Sequence, residues 1–498
     1  MNQRIDISIV IPAFNEAERL PQFLERIISF CLASQNTYEI IVVDDGSIDA
    51  TFQKAASYKS RFPNLSVLRI GKNRGKGHAV KKGLFESQGE ICLFLDADGS
   101  VEPEEIERNS HYLKEGYDIF IGSRALHGQG QTLKVKWYRK AIGVVFNFFV
   151  HTFLFKQIKD TQCGFKIFKK DIIVPLLSRT YLDGFGFDIE VLYLAHRMGY
   201  KIKEGPVSWR HVNAGKINLI KDSIKMFWNI LQARNWHCTP INLSAQYMGP
   251  DEYRFMHELE DYHWWFTSRR NLVKQLILSL KGEFSSILDV GSGTGGNLVM
   301  LKEFADAYGI DASRQAVEFC KKRGLDKVKQ CRAERIEFND GTFDMVTCLD
   351  VLEHIPQPVV ALREIKRVLK DSGKMIVAVP AFRILWSQHD EALSHLRRYE
   401  KRSLMAELKE GGFKVEKIGY FFFLSFFIVA PVRIARRFLN PGKRKIQSDT
   451  TTLPPKFLNE FLKLIFSLET KIALHVGLPL GTTLYAVAEK ANYSASQN

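Results

Sequence analysis

Short apolar runs that stop abruptly on polar clusters, separated by stretches of helical period, recur along the chain. Residues 7–11, 39–43, 65–70 and 92–95 read as strands; 92–95 is apolar without alternation, as a parallel strand covered on both faces requires. The polar clusters that close them are Pro12-Ala13-Phe14-Asn15-Glu16, Asp44-Asp45-Gly46-Ser47, Gly71-Lys72-Asn73-Arg74-Gly75-Lys76-Gly77 and Asp96-Ala97-Asp98-Gly99-Ser100. Helical pattern follows the first cluster through Phe30. Alternating strand and helix predicts a parallel α/β sheet, whose ligands bind beyond the carboxyl ends of its strands. In the second half, strands are expected at 287–290, 308–310 and 343–348, the first running into Gly291-Ser292-Gly293-Thr294-Gly295-Gly296. Residues 237–250 have no clear period and contain two prolines, so a linker over 237–252 is expected between domains at 1–236 and 253–490. The fold class is α/β, with two doubly wound domains.

Length and composition extend this picture. A chain of 498 residues exceeds one ordinary core, in keeping with two domains. The formal charge of +15 favours an anionic partner: nucleic acid, a phosphorylated substrate or acidic lipid. Seven scattered cysteines without metal spacing suit a reduced setting, and Met1 leads into polar residues with no signal-peptide pattern. No apolar stretch reaches the ~20 residues of a spanning helix. Residues 142–155 and 420–432 come nearest, and basic residues flank both, so each reads either as a core helix or as a segment lying in a membrane interface.

The strand-end clusters carry chemistry. Asp96 and Asp98 point the same way, because side chains in extended backbone repeat every second residue, and two such carboxylates suit Mg²⁺ or Mn²⁺. A plain turn is the other reading, since Asp and Gly are common there. Acids after the second strand can accept from a base or ribose, and the basic glycine-rich loop offers donors to phosphates. Asp96 and Asp98 would hold a metal that stabilises the diphosphate as a leaving group.

Taken in order, these clusters resemble a family 2, GT-A, inverting glycosyltransferase. Asp160-Thr161-Gln162-Cys163-Gly164-Phe165-Lys166 and Phe187-Asp188-Ile189-Glu190 are similar to the polyprenyl (dolichyl) phosphate glucosyltransferase branch, and the resemblance spans 6–236. It implies a nucleotide sugar donor such as UDP-glucose and a polyprenyl phosphate acceptor. It also implies a nucleotide-sugar site at Pro12, Ala13, Asn15, Glu16, Asp44, Asp45, Arg74, Lys76, Asp96, Ala97 and Asp98, a metal on Asp96 and Asp98, and Asp160 and Asp188 near the reaction. A phosphate acceptor is already anionic near neutral pH, so these two acids serve to orient acceptor, cations or donor; an acceptor hydroxyl would instead need one of them as a base. For the lipid, the aromatic stretch 142–155 and the helical face Ile217, Ile220, Ile224, Phe227 and Leu231 are candidates for docking or for core. Gln232-Ala233-Arg234-Asn235-Trp236 is one residue short of the signature of processive polysaccharide synthases and is discounted.

In the second half, Asp311 closes a strand about 20 residues beyond the glycine loop, where an acid takes two ribose hydroxyls. With Ala333-Glu334, Asp344 and Asp350-Val351-Leu352-Glu353-His354-Ile355, this order resembles a class I S-adenosylmethionine-dependent methyltransferase over 253–490, rather than a nicotinamide dehydrogenase. The resemblance implies a Rossmann-like fold, with Asp289, Gly291, Gly293 and Gly295 around the methionine moiety, Asp311 on the ribose, Ala333 and Glu334 beside the adenine, and Asp350 at the cofactor site. Glu353 and His354 are candidates for catalysis or structure. His389, Asp390, His395, Arg397, Arg398 and Tyr399 form a second cluster, to face the acceptor or to bond a loop. His263-Trp264-Trp265-Phe266 with Arg269-Arg270 suits a lid or interface. Strands at 413–419 and 481–489 are expected to pair as a hairpin interrupted by an apolar, basic insertion at 420–476, read as a membrane-docking appendage.

The expectation is a bifunctional transferase at the cytoplasmic membrane surface, peripheral or monotopic, using Mg²⁺ or Mn²⁺ and S-adenosylmethionine, with nucleic acid excluded as a partner. Transfer to a glycan hydroxyl is the enzymatic alternative, and a binding scaffold the non-enzymatic one.

Overall fold

A computed structural model describes residues 4–126, 158–184, 186–210, 228–234, 237, 249–280, 282–439 and 452–491. The expected stretch at 142–155 and most of that at 217–236 lie outside the described residues. The chain forms two compact units, Met1–His237 and Cys238–Asn498.

The first unit holds a seven-stranded sheet in the order β3-β2-β1-β4-β6-β5-β7. Its strands are β1 (Ile7–Ala13), β2 (Tyr38–Asp44), β3 (Leu65–Arg69), β4 (Ile91–Leu95), β5 (Ile119–Ser123), β6 (Phe165–Lys169) and β7 (Ile202–Pro206). Every residue of β2 is buried, as the apolar run 40–43 at its centre requires, Glu39 and Asp44 included. Helix α1 (Leu20–Ala33) lays Leu20, Phe23, Leu24, Ile27 and Ile28 against the sheet at helical spacing. Helix α2 (Thr51–Ser57) packs beside it, and α3 (Lys76–Glu86) lies so close that a Cβ on Gly83 would meet Val10 at 2.3 Å.

One strand departs from the parallel expectation: β6 runs antiparallel to both β4 and β5. The cause is connection rather than composition. Strand β5 ends at the carboxyl rim, and the described chain resumes at Ile158 and enters β6 from that rim, where Gly164 C=O accepts from Asp96 N–H. Residues 160–166 are thereby brought level with the strand-end clusters. Helices α4 (Glu105–Lys114), α5 (Lys170–Leu177) and α6 (Phe187–Arg197) complete the unit.

The second unit has the order β10-β9-β8-β11-β12-β14-β13. Its strands are β8 (Ser286–Val290), β9 (Asp306–Asp311), β10 (Val328–Gln330), β11 (Phe343–Leu349), β12 (Leu369–Pro380), β13 (Phe413–Phe421) and β14 (Thr483–Lys490). All pairs are parallel except those of β14 with β12 and β13. Helix α7 (Pro250–Leu259) opens inside the stretch read as linker, because Pro250 stands at the first helical turn, where a missing N–H costs nothing. Helix α8 (Trp264–Ser279) follows, then α9 (Gly296–Leu301), α10 (Arg314–Lys322), α11 (Pro358–Val368), α12 (Gln388–Ala392) and α13 (Lys401–Glu410).

Between β13 and β14 stand α14 (Phe423–Leu439) and α15 (Lys456–His475). Helix α15 is anchored by Phe466, which stacks on Trp264 of α8 at 5.1 Å, and by Ala473 C=O, which accepts from Tyr485 Oη at 3.1 Å. Their other faces are apolar and open: Leu424, Phe427, Ile428 and Val432 on α14, and Phe457, Phe461, Leu464, Leu468 and Ile472 on α15, are exposed. Among the described residues, no helix is long and apolar enough to cross a membrane.

Candidate active sites

In the first unit the sequence clusters meet at the carboxyl rim. The loops after β1 and β2 are laced together: Asn15 N–H donates to Ser47 Oγ at 2.9 Å, and Ile48 N–H to Asn15 Oδ1 at 3.0 Å. Asn15 takes a left-handed backbone, φ 54°, which its short polar side chain tolerates. Asp45 accepts the N–H groups of Arg74 and Gly75 at 2.9 and 2.7 Å, fixing the glycine-rich loop to the end of β2. Asp44 is fully buried, takes the Ser47 N–H at 3.0 Å and has Arg69 Nε 3.4 Å away. Pro12 and Ala13 complete the end of β1.

Beyond β4 the backbone leaves the extended form, so the alternation argument for Asp96 and Asp98 does not hold; a turn takes over, and Asp98 Oδ1 accepts Ser100 N–H at 3.0 Å. Ala97 is buried beneath that turn. Lys76 Nζ sits 2.7 Å from Asp96 Oδ1 and 3.8 Å from Asp188 Oδ2. Lys166, itself buried, approaches Asp188 Oδ1 at 2.5 Å. The second Asp96 oxygen occupies the space above Gly164, where a Cβ would stand 1.9 Å from it. Glu16 lies in range of the Asp98 charge, and burial pushes its carboxyl up despite its ion pair with Arg19.

Asp160 takes a two-pronged bond from Arg124, Nε at 2.8 Å and Nη2 at 2.9 Å, and also the Arg124 N–H. Burial alone would raise its carboxyl, but Arg124 holds it below the usual range. Asp160 and Asp188 are thus committed to cations of the fold. Glu190 accepts the Tyr181 and Leu182 N–H groups at 2.9 and 2.7 Å and faces His237 Nε2 at 2.8 Å, so it holds a loop.

In the second unit the glycine loop follows β8. Gly291, Gly293 and Gly295 all have positive φ, and a Cβ on Gly291 would meet Val351 at 2.2 Å. Asp311 accepts Gly293 N–H at 3.0 Å and Ser313 N–H at 2.8 Å; burial still pushes its carboxyl up to about 6. Asp289 is fully buried and pushed up to about 7 by burial; Thr347 Oγ1 donates to one oxygen at 2.6 Å, and the other has no hydrogen-bond partner. Ala333 is buried and Glu334 half-buried after β10. Asp350 closes β11 with φ 54° and pairs with Arg269, whose guanidinium lies 4.7 Å from the Trp265 ring.

Glu353 and His395, both buried, and half-buried His354 form a cluster, ligand atoms within 4.8 Å of one another. Burial pushes the Glu353 carboxyl up to about 8 and the His354 imidazole down to about 3. Asp390 is the hub beside it, fully buried, with His395 Nδ1 at 2.9 Å, Arg398 Nε at 2.7 Å and Arg433 Nη1 at 3.9 Å. Arg397 and Tyr399 instead tie the backbone, donating to Pro356 and Leu352 carbonyls at 2.9 and 3.3 Å. The His389 ring lies 6.2 Å from that of His395.

A Glycosyl transferase family 2 model matches residues 8–176, and a Methyltransferase domain model matches 288–377. A dolichyl-phosphate beta-glucosyltransferase of Dictyostelium discoideum is 36% identical over 242 residues, covering 46% of this chain and 74% of the relative. The chain belongs to glycosyl transferase family 2. A Saccharomyces cerevisiae protein of the same description is 35% identical over 243 residues, covering 45% of this chain and 73% of its own, and a human one is 33% identical over 239 residues, at 45% and 72%. This family 2 chain is a bifunctional transferase, its second domain an S-adenosylmethionine-dependent methyltransferase.

Within this family 2 chain, sequence reading missed four functional neighbours. Arg124 and Lys166 hold the two aspartates; Lys166 lay in a quoted motif, but its burial was invisible. Arg269, read as part of a lid or interface, meets the end of β11. Glu260, after α7, pairs with Arg323 at 2.7 Å and takes the Thr294 hydroxyl of the glycine loop; no local signal marks it.

Proposed function

We propose that the first domain transfers glucose from UDP-glucose to a polyprenyl or dolichyl phosphate with inversion, using Mg²⁺ or Mn²⁺. The observation that carries this reading is the engagement of both Asp160 and Asp188 with Arg124, Lys166 and Lys76: neither acid is left as a general base, and a phosphate acceptor needs none. Relatives described as dolichyl-phosphate beta-glucosyltransferases support the same acceptor. Asp96 and Asp98 fit a hard cation: Asp96 already draws a positive charge to one oxygen, and Gly164 leaves clearance over the other. When bound, such an ion neutralises the departing diphosphate. Lys76 adds a charge for phosphate, and Asp45 holds the Arg74-Gly75 backbone in place around it.

The second domain, in this reading, methylates a lipid-linked or saccharide precursor. Asp289, with an unpartnered buried oxygen, and the left-handed glycines fit the methionine end of S-adenosylmethionine, and Asp311 fits its ribose. The cofactor supplies an electrophilic methyl group. The open faces of α14 and α15 support docking on the cytoplasmic surface of a membrane, each buried Phe contributing about 1.5–3 kcal/mol.

The test is acceptor choice. Full-length chain, labelled UDP-glucose and polyprenyl phosphate vesicles should give an acid-labile lipid monophosphate sugar, lost in Asp96→Asn. Label in polysaccharide alone would overturn the reading.

A further inference from the structure

The cluster beyond β11 has the composition and order of a metal centre. Glu353 is fully buried, and neither carboxylate oxygen has a hydrogen-bond partner. An unpaired buried carboxylate is costly: left alone it keeps its proton, and a bound cation is what lets it ionise. Two imidazoles share its space: His395 Nε2 is 3.9 Å from Glu353 Oε1, and the His354 and His395 rings are 4.8 Å apart.

Each histidine is already oriented through its other nitrogen. His395 Nδ1–H donates to Asp390 Oδ1 at 2.9 Å, which leaves a lone pair on Nε2, facing Glu353. His354 donates to the carbonyl of Ser394, a residue held at φ 58° directly before His395. A carboxylate or carbonyl behind each imidazole is the outer shell that metal-binding histidines require. Asp390 is in turn fixed by Arg398 and by the Ser387 N–H at 2.8 Å. A bonded loop would account for Asp390, but not for two unpartnered oxygens facing two imidazoles.

We propose that Glu353, His354 and His395 bind one divalent first-row metal ion, zinc, iron(II) or manganese(II), within the methyltransferase domain. Two imidazoles and one carboxylate suit these ions and leave coordination positions open. The place is apt. Val351, two residues before Glu353, packs against Gly291 of the glycine loop, so an ion here lies close to the cofactor pocket and can polarise an oxygen-bearing acceptor. That use rests on the methyl-transfer reading; binding of the ion does not.

Titration of chelator-treated full-length chain separates this centre from the sugar-transfer site. A double variant, Asp96→Asn with Asp98→Asn, is titrated with Zn²⁺ and with Mn²⁺ by calorimetry. One equivalent of at least one ion should bind with a Kd on the order of 1 μM or tighter. Adding Glu353→Gln or His395→Gln should abolish that equivalent, and Asp390→Asn should weaken it about 10–100-fold. Glu353→Gln conserves shape, and S-adenosylmethionine binding by dialysis monitors the fold and the methyl-donor pocket independently. No bound equivalent in the double variant, or binding untouched by Glu353→Gln and His395→Gln, would overturn the proposal. Metal binding without S-adenosylmethionine binding would instead sink the methyl-transfer reading alone.

Discussion

At the scale of single residues, the protein is governed by carboxylates whose neighbours decide their work. In the proposed reading Asp311 takes the ribose hydroxyls in its ionised form, and burial pushes its carboxyl up to about 6, with Asp289 at about 7. An acid raised this far takes up its proton close to neutral pH rather than near pH 4, so S-adenosylmethionine affinity should be level above about pH 8 and drop up to about tenfold per pH unit below pH 6. Calorimetry across that range checks it; Asp311→Asn should bind weakly and lose most of the slope. Gly164→Ala tests the other site. Its methyl would fall 1.9 Å from Asp96 Oδ2, and displacing that carboxylate by about 1 Å should cost on the order of 100-fold in sugar transfer. Unchanged turnover would mean that Asp96 is not positioned for the reaction.

At the scale of elements, the two inserted helices are the feature with most consequence. They sit in a hairpin connection, are pinned on one side by Trp264, Phe466 and Tyr485, and expose apolar residues on the other. Ile428→Glu with Phe461→Glu should lower vesicle association at least tenfold in flotation assays while melting temperature stays within a few degrees, since both side chains are exposed. Arg433 joins helix α14 to the methyltransferase interior, donating to Leu385 C=O at 2.8 Å and lying 3.9 Å from Asp390. Asp390→Asn removes the carboxylate that neutralises buried Arg398 and Arg433, and chemical denaturation of the second domain should register a loss of about 3–5 kcal/mol.

At the scale of the whole molecule, two sheets each carry a candidate site of their own at the carboxyl ends of their strands. The activities should therefore separate. Asp96→Asn should abolish transfer of labelled sugar to lipid and leave S-adenosylmethionine binding by dialysis unchanged, and Asp311→Ala should do the reverse. The +15 charge adds a shared demand, with each lysine or arginine near an anionic leaflet worth about 1 kcal/mol. Vesicle association should weaken as salt rises, in keeping with screening over about 8–10 Å.

The sequence alone determined that there are two α/β domains, where most strands lie and which clusters close them, because buried parallel strands and glycine-bearing turns impose local composition. Asp44-Asp45-Gly46-Ser47, Asp96-Ala97-Asp98-Gly99 and the glycine loop at Gly291 were legible for that reason. Tertiary structure decided direction and partnership. The reversal of β6 depends on where the chain re-enters the rim, which no local pattern encodes. The turn at Asp98, the Arg124–Asp160 and Lys166–Asp188 pairs, Glu260 at the glycine loop and the meeting of Glu353 with His395 join residues far apart in the chain or set by backbone shape. Burial turned those juxtapositions into chemistry, because a charge removed from water must find a partner, and only the folded chain says which one.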